Sequence, residues 1–103
     1  MNAAVEISNV KNRQESIVCK IAFAEAEKDI VMIRSVLAGD VLLNEHLVWL
    51  WGRLKHERRY LKNLQQDGAI LTVRIKGVSG NIVIQANGAE MLHLLNAQLV
   101  IER

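Results

Sequence analysis

No proline occurs in the chain, so neither a proline-rich linker nor a proline stop divides it, and element boundaries must be read from glycine and asparagine. The single cysteine, Cys19, cannot form an intramolecular disulfide. That excludes a disulfide-stapled secreted scaffold and makes a reducing cytoplasm the expected compartment. No apolar run approaches the ~20 residues of a membrane span, because the most apolar stretch, Val41 to Trp51, is broken by Asn44, Glu45 and His46. The first residues lack a basic segment followed by an apolar one, so no export signal is expected. Aromatic residues number four, and three of them, Trp49, Trp51 and Tyr60, fall within twelve residues of one another.

What is present is an ordinary globular composition, 50% hydrophobic and 23% charged over 103 residues, which places the chain outside the disordered regime and predicts a single domain over 1–103. A net charge of +2 is too small to indicate a partner by itself, but its distribution is uneven. Five cations (Arg53, Lys55, Arg58, Arg59, Lys62) and one anion (Glu57) lie between positions 53 and 62, an excess of four positive charges, so the other residues together carry a net −2.

Periodicity supplies the expected elements. Val5 and Ile7 mark a short edge strand within Ala3 to Val10. From Ser16 to Ala38, Cys19, Phe23, Ala26, Ile30, Ile33 and Leu37 recur at spacings of 3 and 4, which predicts a helix with one packing seam. Ile17, Ile21, Ala24 and Val31 line its opposite side, and the β-branched residues of 16–23 leave a strand there as the alternative. Gly39 stops this helix and Asp40 caps the next, which runs from Val41 to Gln66 with a seam of Leu43, Leu47, Leu50, Leu54, Leu61 and Leu64, interrupted only by Glu57. The period then changes to two. Leu71, Val73 and Ile75 alternate with Thr72, Arg74 and Lys76, residues 77–81 turn, and 82–86 return as the second strand of a hairpin. Asn87 and Glu90 form a capping box for a helix through Leu95, and Gln98 to Glu102 is a final strand. The expected fold is α+β: a long antiparallel helical hairpin followed by a ββαβ layer, in the order (β)ααββαβ.

Chemistry is hard to assemble from these residues. His46, His56 and His93 lack metal-ligand spacing, and Glu25, Glu27 and Asp29 lie on a solvated face. Cys19 falls on an apolar seam, where a thiol is an inert small hydrophobe. No catalytic residue, metal or cofactor is expected, and the chain is read as a non-enzyme. The segment Gly77-Val78-Ser79-Gly80 is similar to the GxxG loop with which KH domains clamp a nucleic-acid backbone. In those domains the loop joins two helices, whereas here both flanks read as strands, so turn chemistry is the better account.

The long helix holds the functional candidates. A leucine seam and an aromatic flank of His46, Trp49, Arg53, His56 and Tyr60 suit a protein interface, with Leu43, Leu47, Trp49, Leu50, Trp51, Leu54 and Tyr60 as contact residues. The first expectation is therefore a regulatory protein that acts by protein–protein contact, as a helix-mediated homodimer. The alternative is a DNA-binding regulator resembling a winged helix. In it, 24–38, 44–51 and 53–66 are three helices with Gly52 in a turn, and 71–86 is the wing. Lys55, Arg58, Arg59 and Lys62, at i, i+3, i+4 and i+7, would then contact the nucleic acid together with Arg74 and Lys76.

Overall fold

A computed structural model describes residues 1–103. Its elements are β1 (Asn2–Ser8), α1 (Gln14–Lys20), β2 (Ala24–Glu27), β3 (Ile30–Arg34), α2 (Leu43–Leu54), α3 (Arg58–Gln66), β4 (Ile70–Lys76), α4 (Ala86–Leu95) and β5 (Gln98–Glu102), with a 3₁₀ turn at Lys55–Glu57 joining α2 to α3. The strands form one sheet in the order β2-β3-β1-β4-β5, and only β4 and β5 are parallel.

Alternation dictates how the helices sit on this sheet. Ala3, Val5 and Ile7 of β1 share a face with Val31 and Ile33 of β3 and with Leu71, Val73 and Ile75 of β4, and all are buried. The same core takes Ile17 and Ile21 beside α1, the six leucines of α2 and α3, and Met91 and Leu95 of α4. The helices thus cover one face. The opposite face carries Glu25, Glu27, Arg34, Glu6, Arg74 and Glu102, joined in ion pairs.

This architecture corrects the expected layout, because there is no antiparallel helical hairpin and no ββαβ layer. Residues 16–38 form α1 and then the β2–β3 hairpin. The helical path ends at Lys20, since Ile21 is already extended; Phe23 (φ 67°) then makes a left-handed bend into β2, and Lys28 (φ 52°) turns β2 back into β3. Period two was already present there, in Ala24 and Ala26 alternating with Glu25 and Glu27 and in Val31 and Ile33. In runs this short it coincides with spacings of 3 and 4. Cys19, placed by the helical reading on an inner seam, is exposed at the end of α1. β1 is not an edge strand, since β3 and β4 pair with its two sides.

The 71–86 hairpin is also absent. One side of β4 bonds to β1 and the other to β5, so no ladder position remains for 82–86. That segment instead crosses over irregularly to α4, with Ile82 and Ile84 half-buried and Val83 70% exposed. The winged-helix arrangement falls with it, having neither its wing nor its first helix. Gly77 (φ 73°) and Gly80 (φ 76°) shape the start of this crossover, which joins a strand to a helix and is not a KH loop.

The helix over 43–66 does form. It passes Gly52 unbroken and tightens to 3₁₀ only at Lys55–Glu57, where Glu57 interrupts the leucine seam. Asp40 does not cap it. The first turn is closed by Glu45, whose Oε2 accepts the Leu42 N–H at 3.2 Å.

Helices α2 and α4 meet at Gly88, where an added Cβ would lie 2.8 Å from Leu47 Cδ1, and Leu47 is fully buried. Gly88→Ala should therefore lower stability by about 1–3 kcal/mol through overpacking. A lowered urea midpoint with unchanged slope is the expected readout, and an unchanged midpoint would show that this contact is loose.

Candidate functional site

The three faces of the helical segment have different fates. Its leucines, including Leu43, Leu47, Leu50 and Leu54 of the expected interface, are buried against the sheet, so the seam is occupied within the chain itself. Trp49, Trp51 and Tyr60 remain half-buried at its flanks.

One flank forms a wall of a groove. Lys55, His56, Arg58, Arg59, Lys62, Gln65 and Gln66 face the end of α4 at Leu94, Leu95 and Asn96, around a cavity of about 720 Å³. Gln65 fixes the two walls together, its Nε2 donating to the carbonyls of Leu95 at 2.9 Å and Asn96 at 3.3 Å. Asn96 closes α4 in a left-handed conformation (φ 48°), with the Ala97 N–H returning to Leu92 O, a Schellman-type end. The lining contains four full cations and no carboxylate, and none of Lys55, Arg58, Arg59 or Lys62 takes part in an ion pair. A groove of this kind carries an uncompensated positive potential and attracts anions.

Arg74 and Lys76 do not join these four. They lie on the open face of the sheet beside a smaller cavity of about 380 Å³. There Arg74 donates to Glu6 at 2.9 Å and Glu102 at 3.2 Å, and Lys76 is 3.8 Å from Glu102. The hydrogen bond to Glu6, together with that carboxylate's charge, raises the guanidinium pKa above its ordinary value. These cations are already neutralised.

The other flank is aromatic. Phe23 meets Trp49 edge to face at 5.2 Å between centroids, and the Arg53 guanidinium lies 4.9 Å from the Trp49 ring and 5.8 Å from the Phe23 ring. Farther along, Lys20 is 5.9 Å from the Tyr60 ring and 3.7 Å from Glu57, and burial raises the Tyr60 pKa. Helical spacing already grouped Trp49, Arg53 and Tyr60. Phe23 escaped that grouping because its membership depends on its own left-handed bend between α1 and β2. Gln65, Leu94 and Asn96 escaped as parts of the groove because only tertiary packing brings α4 beside α3.

His46 is 1% exposed, with Nδ1 hydrogen-bonded to Ser35 Oγ at 2.8 Å and Nε2 buried without a partner. A catalytic serine–histidine pair needs its second ring nitrogen oriented by a third group, which Nε2 lacks. No three His, Cys, Asp or Glu side chains converge on a metal-sized site. No helix is long and apolar enough to cross a membrane.

Comparison with known proteins adds no assignment: no family model, curated protein or solved structure matches this chain.

Burial, reinforced by the nearby amino-terminal charge and opposed by Glu45, pushes the His46 pKa below its ordinary value. The unfolded chain, with an ordinary histidine pKa of about 6.5, then binds the proton more readily than the folded one. His46 therefore contributes no penalty above about pH 6.5, and stability falls as pH drops from there through the folded-state pKa. The urea midpoint should decrease between about pH 7 and 5.5, and His46→Gln, which keeps an amide for Ser35 but cannot titrate, should flatten that decrease. An equal decrease in the variant would assign the effect to other groups.

Proposed function

We propose that this chain is a non-enzymatic binding protein whose α3 groove takes the phosphate backbone of a nucleic acid. The observation that carries this reading is the set of four unpaired cations in a groove lined by no carboxylate. From Lys55 to Lys62 the stripe extends about 10 Å at 1.5 Å per residue, the length of about three phosphate steps along one strand of a duplex. Gln65, Gln66 and Asn96 add amide donors, and the lining contains no Phe, Tyr or Trp, its one ring being the imidazole of His56. The four cations make the contact chiefly one of charge and shape, directed at the backbone. A reducing, nucleic-acid-containing compartment such as the cytoplasm suits both the groove and the lone, exposed Cys19.

A protein partner on the aromatic flank is the second reading, favoured by Phe23, which is 55% exposed while edge to face with Trp49 and beside Arg53. The helix-mediated dimer is not carried forward, because its leucines lie in the core.

Binding to a short duplex of arbitrary sequence, measured against salt, tests the first reading. Four phosphate contacts should give a log–log slope of about −3 to −4, and affinity should fall about a hundredfold between ~50 and ~200 mM salt. Arg58→Ala with Arg59→Ala should reduce the slope by about 2, whereas Phe23→Ala should leave it unchanged. Absence of binding at low salt, or a slope indifferent to the arginines, would falsify the groove assignment.

A further inference from the structure

The two edges of the sheet are built differently. β2 is four residues long, carries Glu25 and Glu27, and is followed directly by Lys28 and Asp29, the charged and short construction that discourages pairing with another chain. β5, Gln-Leu-Val-Ile-Glu, has no proline and no lysine, and its only charge, Glu102, is held by Arg74 and Lys76 of the neighbouring strand. The Glu102 carbonyl accepts the Gly77 N–H at 3.0 Å. In a parallel ladder the backbone groups of Gln98, Val100 and Glu102 then turn toward β4, and those of Leu99 and Ile101 turn outward.

The side chains at this edge are largely apolar. Leu99 is half-buried and Ile101 is 37% exposed on the helix-covered face, while Val100 is half-buried on the open one. Leu92 is also half-buried, and helical spacing puts it on the side of α4 turned away from Leu94 and the basic groove.

We propose that β5 pairs with β5 of a second copy of this chain, antiparallel about a two-fold axis at Val100, extending the sheet continuously across both copies. The strand is self-complementary in that register. Leu99 faces Ile101 of the other copy, Val100 faces Val100, and the Gln98 amide faces the Glu102 carboxylate. Leu99 and Ile101, whose backbone groups point outward, become the hydrogen-bonded pairs, and Val100 sits at the closely spaced non-hydrogen-bonded position. Since β2 is guarded and only β5 is open, the assembly closes at two copies and does not grow into a filament. The inference uses an edge remote in kind from the basic groove and does not depend on what that groove binds.

Sedimentation of the full chain and site-directed cross-linking test this pairing. The chain should sediment at the mass of two copies. Val100→Lys, which sets like charges opposite each other at the axis, should sediment as one copy while retaining the wild-type circular dichroism spectrum. In a Cys19→Ser background, Val100→Cys should oxidise to a disulfide-linked dimer, because Cα atoms about 4.5 Å apart lie within the range a disulfide spans. Gln98→Cys, which faces residue 102 instead of itself, should not. A chain of single-copy mass at every concentration, a folded Val100→Lys that remains dimeric, or equal cross-linking at positions 98 and 100 would each overturn the pairing. A single-copy chain that captures an extended peptide along β5 would overturn it too, by giving the edge to a different occupant.

Discussion

Six leucines on one side of a helical segment, laid on the inward faces of β1, β3 and β4, determine most of what this chain presents to its surroundings. Each leucine withdrawn from water contributes about 1.5–3 kcal/mol, whereas a domain of this size has a net stability of about 5–15 kcal/mol. Rotating the segment by one residue, about 100°, would expose several leucines at once and exhaust that margin. The rotation is therefore fixed by the core, and the flanks follow from it: Trp49, Arg53 and Tyr60 toward Phe23 and Lys20, and Lys55, Arg59 and Lys62 toward the end of α4. Glu57 replaces a leucine in the seam, and there the helix tightens into 3₁₀, with the carboxylate near Lys20.

Two groups of cations show how the same residue types are put to different use. Arg34, Arg74 and Lys76 share the open sheet face with Glu25, Glu27, Glu6 and Glu102, and each has a carboxylate within 4 Å. Most of that network is solvent-accessible, so it stabilises little and chiefly cancels charge. The α3 cations have no such partners, and repulsion among Lys55, Arg58, Arg59 and Lys62 is left standing in the isolated chain. A ligand with spaced negative charges would relieve it.

The sequence made the local features legible and left the non-local ones hidden. The long helix, its leucine seam, the cationic stripe and the final strand depend on residues near one another in the chain, and each lies where periodicity placed it. The misreading of 16–38 as one helix arose because three short elements mimic a 3/4 spacing, and their separation depends on the left-handed residues Phe23 and Lys28, neither a usual occupant of that region. The misreading of 82–86 as a strand had a different cause. Alternation there is real, but β5, reached only after α4, occupies the edge of β4 that a hairpin would need. For the same reason the groove was visible only as one of its walls. Its second wall, the Leu94–Asn96 end of α4, is brought into place by packing at Gly88 and by the Gln65 hydrogen bonds.

The proposed nucleic-acid contact lies on the flank that the leucine seam leaves outside the core, and mapping a ligand onto backbone amides by NMR tests that proposal most directly. Titration with a short oligonucleotide at low salt should shift the amide resonances of 55–66 and 94–96 and leave those of Phe23, Trp49 and the open sheet face in place. Shifts concentrated at Arg34, Arg74 and Lys76, or around Phe23 and Trp49, with none along α3, would contradict it.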